Sequence, residues 1–187
     1  MISLAEIRYS VSGAIRFARA DAGGLDHFDN TIERFWRSFW AAAICAPMIV
    51  VIILSVQHAN PPKDWTRYFS VATLNYIIAW ALWPLVMIYL SAWIQRGQHY
   101  IRYVQAYNWA QVVGTAAKFI LVLLAQGMAG QGLAVLLLFA TFAILFYEWF
   151  VTRVALDVTG LQAVGVVAFN FVLVITVDYA SVAFTQL

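Results

Sequence analysis

The sequence predicts an all-α membrane protein: a bundle of five transmembrane helices preceded by an N-terminal amphipathic helix at the membrane interface. Three observations predict it. Of 187 residues, 64% are hydrophobic and only 11% charged, whereas soluble domains carry about 25% charged residues. Uncharged runs recur, 25 residues between Arg37 and Lys63 and 28 from Tyr68 to Gln95, and about 20 apolar residues cross a bilayer. Lysine and arginine are also unevenly shared between alternate connections.

Residues 1–30 form the cytoplasmic or interfacial segment and 31–187 the transmembrane domain. Over residues 3–20, Leu4, Ile7, Val11, Ala14, Ile15 and Ala18 recur at helical spacing on one stripe. Ser3 with Glu6 makes a capping box, and Gly23-Gly24 supplies a stop. Arg8, Arg16 and Arg19 project from one flank of the stripe, where an interfacial helix places cations against lipid phosphates. Packing of this helix on the bundle's own loops is the alternative. Asn30-x-x-Glu33 is a second capping box, and the first span follows at 36–56.

Asn60-Pro61-Pro62 breaks the helix, and Lys63, Asp64 and Arg67 make a wet loop. The second span is 70–94, followed by a turn from Gln95 to Tyr100. The third, 104–125, contains Lys118 and ends at a small-residue turn from Gly127 to Gly132. The fourth is 133–151, the turn Arg153 to Gly160 follows, and the fifth, 161–184, contains Asp178.

With the N-terminus inside, Arg8, Arg16, Arg19, Arg34, Arg37, Arg96, Arg102 and Arg153 are cytoplasmic, against Lys63 and Arg67 outside. That excess sets the orientation. Trp36, Trp40, Trp93, Trp109 and Trp149 are then expected at the inner headgroup region. No apolar h-region opens the chain, because Glu6, Arg8, Arg16 and Arg19 interrupt it. Short loops and no secretory signal suit a bacterial inner membrane.

The net charge of +2, with basic residues dispersed, argues against a nucleic-acid partner. Cys45 is the single cysteine, so neither disulfides nor a thiolate cluster form within the chain. His27, His58 and His99 all fall outside the spans, which leaves no axial ligand for a haem inside the bundle, and no spacing suggests a metal site. No cofactor is expected. Nor does a serine meet a histidine in one leaflet, or two aspartates pair at depth, so an enzyme is not expected.

Ionisable groups at membrane depth cost several kcal/mol unless paired or hydrated, which makes each a candidate for function. Lys118 and Asp178 fall at similar depth, beyond the middle of their spans, and form a candidate pair. Asn108, Gln111, Thr115 and Lys118, spaced by three or four, make a polar stripe on the third helix. Asp178 shares a face with Ser181 and Thr185, and Asn170 lies about two turns earlier. Two readings fit: a polar path or small pocket with Lys118 as counter-ion, or a salt bridge fixing how the third and fifth helices pack. Glu148, beside Trp149 and Arg153, is expected as a snorkelling carboxylate or a local ion pair.

Pro47 and Pro84 fall mid-span, where each frees a carbonyl and bends its helix. Small residues at Ala41, Ala42, Ala43 and Ala46, and at Gly165 and Ala168, permit close helix approach within the bundle or with a partner.

Five spans, a cytoplasmic N-terminal region with a short amphipathic helix and a C-terminus on the far side resemble the Yip family of five-span membrane proteins over residues 25–187. The eukaryotic family's Asp-Leu-Tyr-Gly-Pro signature does not occur here, so no role in vesicle traffic or GTPase binding is carried over. The segments Phe35-Trp36-Arg37-Ser38-Phe39 and Ala106-Tyr107-Asn108-Trp109 resemble those of uncharacterised bacterial membrane proteins. Two functions are expected from the residues themselves. One is a non-catalytic accessory or scaffold component of a membrane assembly or of bilayer organisation, in contact with lipids and with other integral subunits or its own copies. The other is a small transporter or channel subunit using a polar path on the third and fifth spans, although the lack of an internal repeat disfavours a self-contained carrier.

Overall fold

A computed structural model describes residues 2–58, 61–126, 128 and 130–186, with side chains as far as Ser181. Asn60 of the expected break, Gly127 of the expected turn and the Thr185 side chain lie outside the described residues. The order is α1 (Leu4–Ala18), a 3₁₀ turn (Ala22–His27), α2 (Ile32–Ser38), α3 (Trp40–Val56), α4 (Trp65–Trp93), a 3₁₀ turn (Gly97–His99), α5 (Tyr100–Ala125), α6 (Gly130–Leu156) and α7 (Gly160–Gln186). Among the described residues there is no strand. Five segments are long and apolar enough to cross a bilayer: α2 with α3, the second 3₁₀ turn with α5, and α4, α6 and α7.

Local chemistry sets the ends. Ser3 Oγ accepts from the Glu6 N–H at 3.1 Å, as the capping box predicts, and Asp64 caps α4 by accepting from the Arg67 N–H at 3.0 Å. At the second expected box the capping residue is Thr31, and Asp29 rather than Asn30 supplies the side chain, accepting from the Thr31 N–H at 3.0 Å. Helices α1, α4 and α6 end alike. Ala20, Gln95 and Asp157 take positive φ values of 56°, 61° and 53°. The following N–H groups then reach back to Arg16, Ser91 and Arg153 carbonyls at 3.0, 2.7 and 3.2 Å, satisfying acceptors that a helix end leaves open. The first span is broken at Phe39, between α2 and α3.

Helix α5 is the hub, packing against α1, α2, α3 and α6; α6 packs on α7, and α7 on α4. Helices α3 and α4 pack little on each other. A ring α3–α5–α6–α7–α4 results, and its two halves differ. Buried side chains gather in the half nearest α1: Cys45 on α3, Met87 on α4, Tyr103 and Asn108 on α5, Leu156 on α6, Ala163 on α7. In the other half Leu74, Leu124, Leu138, Phe139 and Val172 stand exposed, as lipid-facing side chains do.

Helix α1 is docked on the bundle through Ser10, Gly13, Ala14 and Phe17. Phe17 stacks on Phe28 at 5.9 Å and meets the Phe150 ring edge-on at 6.2 Å, while the Tyr147 hydroxyl donates to the Ala14 carbonyl at 3.0 Å. The expected stripe is therefore divided. Ala14 is buried, whereas Leu4 is 79% exposed. Arg37 of α2 ties down the start of α1 through Glu6 at 2.9 Å, and Gln105 of α5 holds the connection by donating to the Asp29 carbonyl at 2.7 Å.

Of the tryptophans expected at headgroups, Trp36, Trp40 and Trp93 are exposed, but Trp109 is buried at 3% exposure. Its helix is the hub, so this half of α5 has no face left for lipid.

Candidate functional site

A cavity of about 740 Å³ occupies the middle of the ring, walled by α3, α4, α5, α6 and α7. The stripe Asn108, Gln111, Thr115 and Lys118 all lines it, as do Asn170 and Asp178. Four residues on one face of α6, Thr141, Ile144, Leu145 and Glu148, complete the wall between α5 and α7. Polar side chains from separate helices thus converge on one interior space.

The floor of the cavity lies in the tightly packed half. Asn170 Nδ2 donates to the Tyr107 hydroxyl at 3.1 Å, and Trp83 Nε1 donates to the Tyr103 hydroxyl at 3.0 Å. Asn108 Nδ2 donates to Ser38 Oγ at 2.8 Å, fastening α5 where α2 gives way to α3. Gln111 Nε2 reaches the Glu148 carboxylate at 3.5 Å. Glu148 therefore turns into the cavity instead of snorkelling outward. Arg153, its expected local partner, lies over the Trp149 ring at 5.4 Å.

Lys118 is the cationic neighbour of Glu148 and of Cys45. Asp178 takes a different partner: Asn75 Nδ2 of α4 donates to it at 2.9 Å, also in the cavity wall. Lys118 and Asp178 share the wall, but among the described residues they form no ion pair. Nearby, Gln57 of α3 donates to the Tyr68 hydroxyl of α4 at 2.9 Å, and deeper in, the Tyr76 hydroxyl donates to the Ala42 carbonyl at 2.6 Å. These bonds link two helices that otherwise pack little.

No protein family, curated protein or solved structure matches this chain.

Two amide oxygens in the lining are left over. Asn170 Oδ1 and Asn75 Oδ1 are buried and accept no hydrogen bond from any described residue. A buried acceptor without a donor costs about 1–3 kcal/mol, so both mark places where a bound donor is favourable. Among the described residues no group of three or more His, Cys, Asp or Glu gathers as a metal cluster would.

The arginines expected to face lipid divide. Arg16 pairs with Asp21 at 2.6 Å, while Arg8 and Arg19 are exposed. Asn75 and Tyr107 were not legible as parts of the site, and Glu148 was expected at the interface and not in the cavity. A lone asparagine in the uncharged run of α4 is the signal that points to Asn75, because an amide seldom faces lipid.

Proposed function

We propose that this chain is a small solute-binding membrane protein, a carrier or channel subunit whose solute enters the central cavity. The cavity itself supports the reading, because it collects Lys118, Glu148, Asp178 and the amides of Asn75, Gln111 and Asn170 where each would be costly facing lipid. Its charge favours a class of solute. Lys118 offsets one carboxylate of two, leaving one formal negative charge, and the two unpartnered amide oxygens call for donors. A small protonated amine meets both needs.

Uptake of methylammonium into proteoliposomes tests this. Uptake above that of protein-free vesicles, reduced at least tenfold in Asp178→Asn and Glu148→Gln, is the expected outcome (about 1.4 kcal/mol per tenfold). Uptake no faster than the protein-free background, or unchanged in both variants, would sink the reading.

A second reading is a non-catalytic accessory subunit of a larger membrane assembly, favoured by the sparse packing between α3 and α4, which leaves room for a partner's helix. Stoichiometric co-purification with a membrane complex after gentle extraction is its expected outcome. In either case we propose a cytoplasmic N-terminus, which the Lys and Arg imbalance among the connections supports, in a bacterial inner membrane, which the short loops suit.

A further inference from the structure

The two carboxylates of the central cavity differ in their surroundings. Asp178 is exposed and accepts from the Asn75 amide at 2.9 Å. Glu148 is half-buried, and its one hydrogen-bond donor among the described residues, the Gln111 amide, reaches it only at 3.5 Å. Aromatic side chains close round it instead: Tyr103 and Tyr107 of α5, and Tyr147 beside it on α6. Their hydroxyls meet Trp83, Asn170 and the Ala14 carbonyl. An anion at Glu148 therefore lacks the short donors that solvate a carboxylate.

The charged and titratable groups around Glu148 are few. Helix α5 brings Lys118 with the two tyrosines, and α7 brings Asp178 to the same cavity. Helix α3 adds Cys45, next to Lys118, and α4 adds Tyr68 and Tyr76. No charged group of α1 or of the first 3₁₀ turn, which also pack on α6, interacts with it among the described residues.

Charge then couples two events. One cation against two carboxylates leaves one negative charge, and net charge in an enclosed space is costly. A bound ammonium removes it, and so does a proton on one carboxylate. The poorly solvated Glu148 is the better holder of the proton, which leaves the exposed Asp178 ionised for the amine. Both states are neutral: Lys118 against Asp178 when Glu148 is protonated, and Lys118 with the ammonium against both carboxylates when it is not.

We propose that this cavity exchanges one protonated amine for one proton, with Glu148 as the proton carrier. The inference rests on the amine-binding reading above. As the ammonium settles at Asp178, the Glu148 O–H bond breaks, its electron pair stays on the carboxylate and its proton passes to water. On release of the amine the carboxylate takes a proton back. Exchange is electroneutral, so a pH gradient drives it and a membrane potential does not.

Isothermal titration of the full chain in detergent with methylammonium, in phosphate and in MOPS buffer, tests this. A primary ammonium stays charged to about pH 10, so any proton released comes from the protein. Expected are about one proton released per ammonium bound near pH 6 and a Kd that falls up to about tenfold per pH unit, as one-for-one exchange requires. Difference infrared spectra should show a protonated carboxyl band lost on binding. That band should be missing from amine-free Glu148→Gln and kept in Glu148→Asp. Binding without proton release or pH dependence, or a protonated carboxyl band that survives in Glu148→Gln, overturns the exchange and leaves amine binding standing. No binding of methylammonium at any pH overturns both.

Discussion

The Asn108 amide donates to the Ser38 hydroxyl at 2.8 Å, and that hydroxyl donates in turn to the Phe35 carbonyl at 2.7 Å. Both side chains are buried, at 1% and 0% exposure. The pair fixes the hub helix at the point where the first span breaks. Ser38→Ala should destabilise the protein by about 1–3 kcal/mol, because it strands a buried amide donor. Adding Asn108→Leu should recover part of that loss, since removing both partners relieves the unmet donor. Thermal unfolding in detergent measures both changes, and full additivity of the two would contradict the pairing.

Close backbone approach holds α1 in place. A Cβ at Gly24 would lie 2.5 Å from the Gly13 carbonyl oxygen, and one at Gly13 would lie 2.6 Å from the His27 Cβ. Gly24→Ala should therefore push the turn off α1, at about 1–3 kcal/mol. Gly165→Ala should cost less, because nothing lies within 4 Å there. Limited proteolysis between α1 and α2 should accelerate in the first variant only.

Left-handed residues other than glycine close three helices. Ala20 is exposed with φ 56°, so glycine would lose little packing there. Ala20→Gly should therefore stabilise the α1 terminus by up to about 1 kcal/mol, relief of the left-handed penalty being partly offset by glycine's greater freedom when unfolded. Amide hydrogen exchange of the Asp21 N–H, bonded to the Arg16 carbonyl at 3.0 Å, should slow.

Acid should loosen the N-terminal turn first. The Arg16 guanidinium, with the Gly23 N–H, holds the Asp21 carboxyl below its ordinary 3.8. A carboxyl lowered on folding contributes stability above its unfolded value and loses it as pH falls through the lower folded value. Protection of the Gly23 amide should thus persist at neutral pH and fade below about pH 4, a range set by the ordinary carboxylate value. Asp21→Asn should show weak protection and no such dependence.

Uncharged runs made the spans legible, and the cores of 36–56, 70–94, 104–125, 133–151 and 161–184 all fall within observed helices apart from the break at Phe39 and the last residue of the second. The capping pair Ser3 and Glu6 was equally plain. The α5 stripe was legible because four polar residues kept helical spacing, and it does face the cavity. What spacing could not supply was the neighbour across the gap. Asp178 and Lys118 agree in depth, yet Asn75 on α4 takes the aspartate and Glu148 stands near the lysine, since ring order decides which faces meet. Trp109 is enclosed for the same reason, since α5 packs against several other helices, which spacing alone does not reveal.

The unequal packing of the two halves implies two kinds of cohesion. Near α1, interlocked side chains and polar ties such as Trp83 to Tyr103 hold the helices to one another directly. Beyond Lys118 the helices present exposed apolar side chains, with few cross-links besides Asn75–Asp178 and Gln57–Tyr68. Short-chain detergent should accordingly splay the far half while the near half keeps its shape, giving a molecule whose mouth is tuned by the thickness and lateral pressure of its membrane.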